Sequence, residues 1–346
     1  MKQHALWLFA VACFTSMLLS GSALGAVASS TPCPNYPAVI NVSGTKFYTD
    51  AIGSVVSKAA EQDDLAKQAP LFAFLTYEFA SLDGEPLGKS VSNPSASCAN
   101  QLLEEWAKAD ALRTALDDAG AYSLQGGVNR QKLLRSFVMV ALKLKFHGLQ
   151  LGPDVTPWLT KLVHNNNRSW RQITLRTNLY YWAGATAADF YLLSHDQDSL
   201  QFQNQVWSDA ISAIHDDGYL DAELARGRRA LVYHQYALSA ILSLREARRA
   251  MGLQIADAEQ HRIQLLFNRV GTSLCHPDTM AAAAKVASVE IPDYWGFREI
   301  DALGTDLSND DMKKCSVPVD SYFDINNGGD QKINHAMFLA FAKAAH

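Results

Sequence analysis

The chain is poor in several features that would decide its class at once. It has no CxxC pair and no HExxH motif, so the spacings that commonly hold a structural or catalytic zinc are missing. It has no excess of positive charge. Its 30 Lys and Arg against 35 Asp and Glu give a net charge of -5, so no global field invites nucleic acid or another polyanion. Clean two-residue alternation of apolar residues is scarce, which argues against a sheet protein. No low-complexity linker divides the chain, and no strict internal repeat is visible. Beyond the first twenty residues no stretch is apolar enough to span a bilayer.

What is there begins with an export layout. Lys2 precedes an apolar run from Ala5 to Leu19, and small residues fill Ser20 to Ser30. Charged start, short apolar middle and small-residue end are the three parts of a secretory signal peptide. Cleavage is expected between Gly25 and Ala28. This gives a signal peptide over 1–28, a single mature domain over 29–346, and a periplasmic or secreted monomer without a membrane anchor.

Four cysteines survive that cleavage: Cys33, Cys98, Cys275 and Cys315. An even count in an exported chain favours disulfides over metal ligation. Of the three possible pairings, Cys33–Cys98 with Cys275–Cys315 is preferred, because each bond closes a loop within one end of the chain.

Apolar residues recur at helical spacing through the rest. Cys98, Leu102, Trp106 and Ala109 form one stripe, and Leu134, Phe137, Val138, Ala141 and Leu142 another. Trp158, Leu159, Leu162 and Val163 continue the series, as do Val206, Ala210, Ile211 and Ile214, and Ile263, Leu266, Val270 and Leu274. Turn formers separate the stripes: Asp83-Gly84, Gly126-Gly127, Gly152-Pro153, Asp217-Gly218 and Asn327-Gly328-Gly329. Many helices joined by short loops predict an all-α fold, an α/α toroid or solenoid of antiparallel helix pairs. The Pro/Gly/Ser-rich segment from Ser30 to Ser57 reads as a loop over the body that could serve as a lid.

Polar residues that do not fit the stripes gather in Thr177–Ala183 and in Glu223–Leu238. Arg226, Tyr233 and Tyr236 recur at seven and three residues, which places them near one face, with Arg228 and Arg229 off that line. A guanidinium beside a phenol favours the phenolate and lowers its pKa, and a phenol so tuned can take and return a proton. The plain alternative is a buried tyrosine with a satisfied hydroxyl beside surface arginines. The basic residues Lys132, Arg135, Lys143, Lys145, Arg168, Arg171 and Arg176 read first as a solvated face and second as the lining of a groove for an acidic glycan.

These two segments resemble the alginate lyase family of polysaccharide lyases (family 5), which has the α/α toroid fold. Asn178 with Tyr181-Trp182-Ala183, the Asp216-Asp217-Gly218-Tyr219-Leu220 turn, Glu223-Leu224 with Arg226, and Ala230–Leu238 match the family's motifs in order. The 55 residues from Asn178 to Tyr233 agree with the family without a gap. Weaker similarity runs through Cys98–Ala109, Leu142–Phe146, Trp158 and Trp170. The Asn166-Asn167 pair imitates the asparagine motif but sits too early.

The resemblance implies β-elimination on a 4-linked uronate polymer, alginate or polymannuronate being the first to consider. It implies Asn178 neutralising the substrate carboxylate, Arg226 assisting it, and Tyr233 removing the C5 proton and protonating the leaving oxygen. Substrate contacts would come from Tyr181, Trp182, His234, Tyr236 and Arg176. The expected partner is an acidic polysaccharide, with no metal, no organic cofactor and no nucleic acid.

Two departures qualify it. The family's histidine is Leu179 here, and His234, His164, His215 and Arg176 are candidates to fill the gap. In the lid run Phe47-Tyr48-Thr49-Asp50, Asp50 takes the family's lysine position, with Lys46 as a substitute. An Asp50 facing the groove would repel a uronate. A catalytically impaired polysaccharide-binding relative is therefore the rival function, and a helical scaffold for a secretion complex a weaker third.

Overall fold

Two kinds of helix build this protein, and the buried faces tell them apart. In the computed structural model, which describes residues 32–84, 94–117, 119–293 and 297–345, the helices run in order as follows. They are α1 (Lys58–Asp83), α2 (Pro94–Lys108), α3 (Leu124–Phe146), α4 (Val155–Gln172), α5 (Asn178–Ser194), α6 (Gln197–Ala213) and α7 (Asp221–Leu224). After a 3-10 turn at Gly227–Arg229 come α8 (Ala230–Ala250), α9 (Asp257–Cys275), α10 (Pro277–Ala283), α11 (Phe297–Leu303), α12 (Asp310–Cys315) and α13 (Gln331–Ala345). The expected signal peptide lies outside the described residues. Cys33–His346 forms one compact unit.

Helix α4 buries one stripe only: Val155, Trp158, Leu159, Leu162, Val163, Asn167 and Trp170. That is an outer helix with a solvated back. By contrast α3 buries every residue from Leu133 to Leu144, and α8 nearly every residue along its length. Helices buried all round belong to an inner layer. Contacts across the layer show that its members run parallel. Near their starts, Gln131 Nε2 of α3 donates to the Leu179 carbonyl of α5 at 2.8 Å. Near their ends, Lys145 Nζ of α3 donates to the Leu193 carbonyl of α5 at 2.7 Å. Midway, Arg135 Nε meets Asp189 Oδ2 at 2.8 Å and its Nη1 lies 3.4 Å from Ser243 Oγ of α8. Parallel inner helices linked by outer helices running back are the α/α toroid expected from the stripes.

Burial in the inner layer changes the reading of two basic residues. Arg135 and Lys143 line no groove and are not solvated. Each is about 2 % exposed and paired, Arg135 with Asp189 and Lys143 with Asp83. A charge so placed persists only with a partner, because desolvation alone costs several kcal/mol per ion.

A short antiparallel hairpin, β1 (Phe323–Asp324) with β2 (Gly329–Asp330), is the one sheet among the described residues, beside three isolated bridges. It packs on α3: Ser136 Oγ donates to the Ile325 carbonyl at 2.6 Å and Lys143 Nζ to the Gly328 carbonyl at 2.7 Å. Its turn uses Gly328 and Gly329 at φ +91° and +87°, a backbone region that side chains disfavour. The Asn327-Gly328-Gly329 turn is thus where the sequence places it. Gly126-Gly127 is not a turn. It lies in the first turn of α3, capped by the Ser123 hydroxyl, and a Cβ on Gly126 would come within 2.3 Å of the Val42 carbonyl. Close backbone approach explains that glycine.

Both preferred disulfides are present, Cys33–Cys98 and Cys275–Cys315. The second closes a loop of 40 residues and ties α9 to α12. Replacing Cys275 and Cys315 by serine is expected to cost about 2–4 kcal/mol, mainly by freeing the unfolded chain. A guanidinium titration of the two forms checks this as a fall in midpoint, with a steeper slope as the freed unfolded chain exposes more surface.

Candidate active site

The starts of α5 and α8, and the loop before α1, converge on one tyrosine. Tyr233 lies in the first turn of α8 and is 5 % exposed. Arg226, in the turn between α7 and the 3-10 segment, sets its guanidinium 4.1 Å from the centre of the Tyr233 ring. Arg229, four residues before Tyr233, lies 5.3 Å from the same ring. Tyr236 packs edge-on against Tyr233, with centroids 5.9 Å apart.

Asn178 opens α5 and is buried. Its backbone N–H and its Nδ2 donate to Glu223 Oε1 at 2.5 and 3.3 Å, and Glu223 Oε2 lies 3.9 Å from Arg226 Nε. Asn178, Glu223, Arg226 and Tyr233 are therefore linked in one chain of contacts.

The loop before α1 closes over them. Tyr48 Oη is 2.5 Å from Tyr233 Oη and accepts from Arg229 Nη1 at 2.9 Å. Arg226 Nη1 donates to the Ile52 carbonyl at 2.7 Å. Asp50 does not face the groove with a free charge. Its carboxylate accepts from the Ser54 N–H and hydroxyl and the Val55 N–H, closing the loop on itself. Those bonds, the Ser54 hydroxyl first, hold Asp50 below the usual carboxylate range. Lys46 is exposed.

The electrostatics correct one expectation. Tyr233 is pushed up from the usual phenol value, not down. Burial is the largest cause and the Tyr48 hydroxyl adds to it, outweighing the pull of Arg226 and Arg229. With the loop in place Tyr233 is a neutral phenol.

Three expected substrate contacts are spent elsewhere. Tyr181 is fully buried, and its hydroxyl donates to the Arg176 carbonyl at 3.3 Å. His234 is fully buried; its Nε2 accepts from the Leu220 N–H at 3.0 Å and its Nδ1 sits 2.7 Å from the Ala230 carbonyl. Burial depresses its pKa to about 4, so it is neutral. Arg176 is turned to α6, with Nε 3.1 Å from Asp209 Oδ2 and the guanidinium 4.2 Å over the Tyr180 ring. Half-buried Trp182 and Tyr236 keep some exposure, Trp182 under the Arg135 guanidinium at 5.2 Å.

Leu179 is half-buried against the core. None of the four candidates to replace a histidine there is free to do so. Besides His234 and Arg176, His164 pairs with Asp196 at 3.0 Å and His215 with Asp221 at 3.3 Å. The His164, Asp196 and Asp198 group is the one set among the described residues with ligand atoms within 4.8 Å of one another. Its carboxylates are already engaged by His164, Arg171 and Asn167. That contact also accounts for Asn167, the residue that imitates the asparagine motif.

Sequence reasoning assigned no role to Tyr48, Glu223 or Arg229. Arg229 stands four residues before Tyr233, a helix-neighbour spacing that could have flagged it. The Tyr48 and Glu223 contacts span 185 and 45 residues and left no local signal.

Comparison with known proteins bears on the family and the fold. A family model described as alginate lyase matches residues 87–279. The polysaccharide lyase of Stenotrophomonas maltophilia is 30% identical over 266 residues, covering 75% of this chain and 76% of that protein. The alginate lyase of Pseudomonas syringae pv. tomato is 27% identical over 193 residues, covering 53% of this chain and half of that one. Among solved structures, a variant of alginate lyase A1-III complexed with a tetrasaccharide superposes with a TM-score of 0.64. It shares 17% identity, and the match covers 90% of this chain and 86% of that one. This structural likeness concerns the fold.

Proposed function

The chain belongs to the alginate lyase family and is a polysaccharide lyase; on that premise we propose that it cleaves a 4-linked uronate polymer, polymannuronate first, by β-elimination. The observation that carries this reading is the Arg226 guanidinium over Tyr233, joined through Glu223 to Asn178.

The chemistry sets what each group must do. A C5 proton next to an ionised carboxylate is barely acidic, and neutralising that carboxylate lets the carbanion form. Asn178 donates to the carboxylate through Nδ2, and Arg226 supplies charge beside it. Tyr233, once its own proton has passed to solvent and the two arginines hold the phenolate, takes the C5 proton and then returns that proton to the oxygen of the departing sugar. Its hydroxyl is held by Tyr48 in the closed loop, so Tyr48 must leave that oxygen for a sugar to reach it. Departure of Tyr48 and entry of a polar substrate remove two of the causes that raise the phenol, while Arg226 and Arg229 continue to lower it. Tyr236 and Trp182 are the remaining candidates to pack against sugar rings. Tyr181 and His234 hold the walls from behind. Arg229 provides a cation beside Tyr233 in a site that has Leu179 for the family histidine.

Export is part of the same reading. A cleaved leader over 1–28, one domain over 29–346 and a periplasmic or secreted monomer suit a chain with two disulfides. No helix among the described residues is long and apolar enough to cross a membrane.

Purified mature protein is expected to generate ultraviolet-absorbing unsaturated ends from polymannuronate, and less from polyguluronate, glucuronan or hyaluronan. Binding without any absorbance change on all four would overturn the substrate reading in favour of a polysaccharide-binding relative.

A further inference from the structure

One buried charge in the cleft takes no part in the chemistry just described. Glu223 is fully buried, and its Oε2 has no hydrogen-bond partner among the described residues. We propose that Glu223 is the positioning residue of the elimination: its ionised carboxylate holds the Asn178 amide and the Arg226 guanidinium in one frame, aimed at a single substrate carboxylate. This rests on the lyase reading for its purpose, though the frame itself is testable apart from activity.

Three features support it. First, Thr177 precedes α5 but its side chain makes no capping bond. Glu223 does that work from 45 residues away, accepting the Asn178 backbone N–H. A carboxylate at a helix start is favoured by the open N–H groups and the dipole there. Second, an asparagine amide has two N–H bonds. One on Glu223 Oε1 fixes the rotamer and leaves the other for the substrate. Third, Glu223 Oε2 faces Arg226 Nε at 3.9 Å, which restrains the guanidinium beside Tyr233. The other titratable group that feels Glu223 is the Tyr181 phenol of α5, which it raises.

The arrangement is not one that stability alone would select. Burial pushes Glu223 up to about 7 against the pull of Asn178 and Arg226. A carboxyl whose folded pKa is raised favours the folded state most when protonated. Its contribution is fully present below the unfolded value and fades as pH rises through about 7. The ionised group therefore opposes folding at the pH where it would align the site.

Glu223→Gln tests this. At pH 8 the variant is expected to melt at or above the wild-type temperature. Its kcat on polymannuronate should fall by about tenfold to a hundredfold. KM should change by less than about threefold, because the frame matters most as charge develops. Glu223→Asp, which keeps the charge, should recover part of the rate. Independently of turnover, the Asn178 backbone amide proton should resonate far downfield in the wild type. It should shift as pH crosses about 7, and Glu223→Gln should abolish that shift. If no uronate polymer is cleaved by the wild type, the substrate reading falls and the amide resonance alone decides the frame. An Asn178 amide resonance that Glu223→Gln leaves in place at pH 8, or an undiminished kcat in that variant, overturns the proposal.

Discussion

Tyr233→Phe is expected to remove nearly all lyase activity while leaving the protein folded. Proton transfer by a positioned side chain contributes roughly 10²–10⁴ in rate, and Tyr233 serves as both base and acid, which points to the upper part of that range. The structural cost should be small. Among the described residues the phenol's one hydrogen bond is to Tyr48, worth about 1 kcal/mol. Phenylalanine keeps the ring on which Arg226 and Arg229 rest. The check is an initial rate on polymannuronate beside a circular-dichroism melt. A folded variant that still cleaves would remove Tyr233 from the proton path.

Leu179→His is expected to act in the opposite direction. One electrostatic stabiliser of a developing anion is commonly worth about 10²–10³ in rate. Leu179 adjoins Asn178 at the start of α5 and is only half-buried, so an imidazole can be accommodated. Its loss of core contact should cost about 1 kcal/mol or less. The expected result is a rise in kcat on polymannuronate of about tenfold to a hundredfold, read from the same absorbance assay. An unchanged rate would mean that Arg229, already beside Tyr233, meets the need the histidine serves elsewhere.

The fold was legible in the sequence because its stripes are long and its breaks are clear. The one-sided burial of Val155, Trp158, Leu159, Leu162 and Val163 could be read directly. Which helices form the inner layer could not, since α3 and α8 bury polar residues such as Arg135, Ser136 and Ser239 as well. A lysine or arginine in a helix reads as surface until its partner is known, and Asp189 and Asp83 lie 54 and 60 residues away. Motif and spacing were enough to bring Asn178, Arg226 and Tyr233 together as a candidate cluster, and the three do converge. The site was misread where a polar side chain faces inward, as at Tyr181 and His234. It was also misread where desolvation, which has no sequence signature, outweighs a neighbouring charge at Tyr233.

The hairpin at Phe323–Asp330 has a consequence for the order of assembly. Asp83, at the end of the first helix, receives Lys143 Nζ and the Asp330 N–H at once, the latter across 247 residues. A segment emerging early is thus completed by one made nearly last. Contacts so distant in the chain close slowly, since the entropy of the intervening loop is lost before they form. Until residues 322–330 dock, the buried Lys143 ammonium has Asp83 but lacks the Gly328 carbonyl. Nascent or truncated chains lacking the last two dozen residues should therefore stay expanded and protease-sensitive, with their helices formed but the ring unsealed.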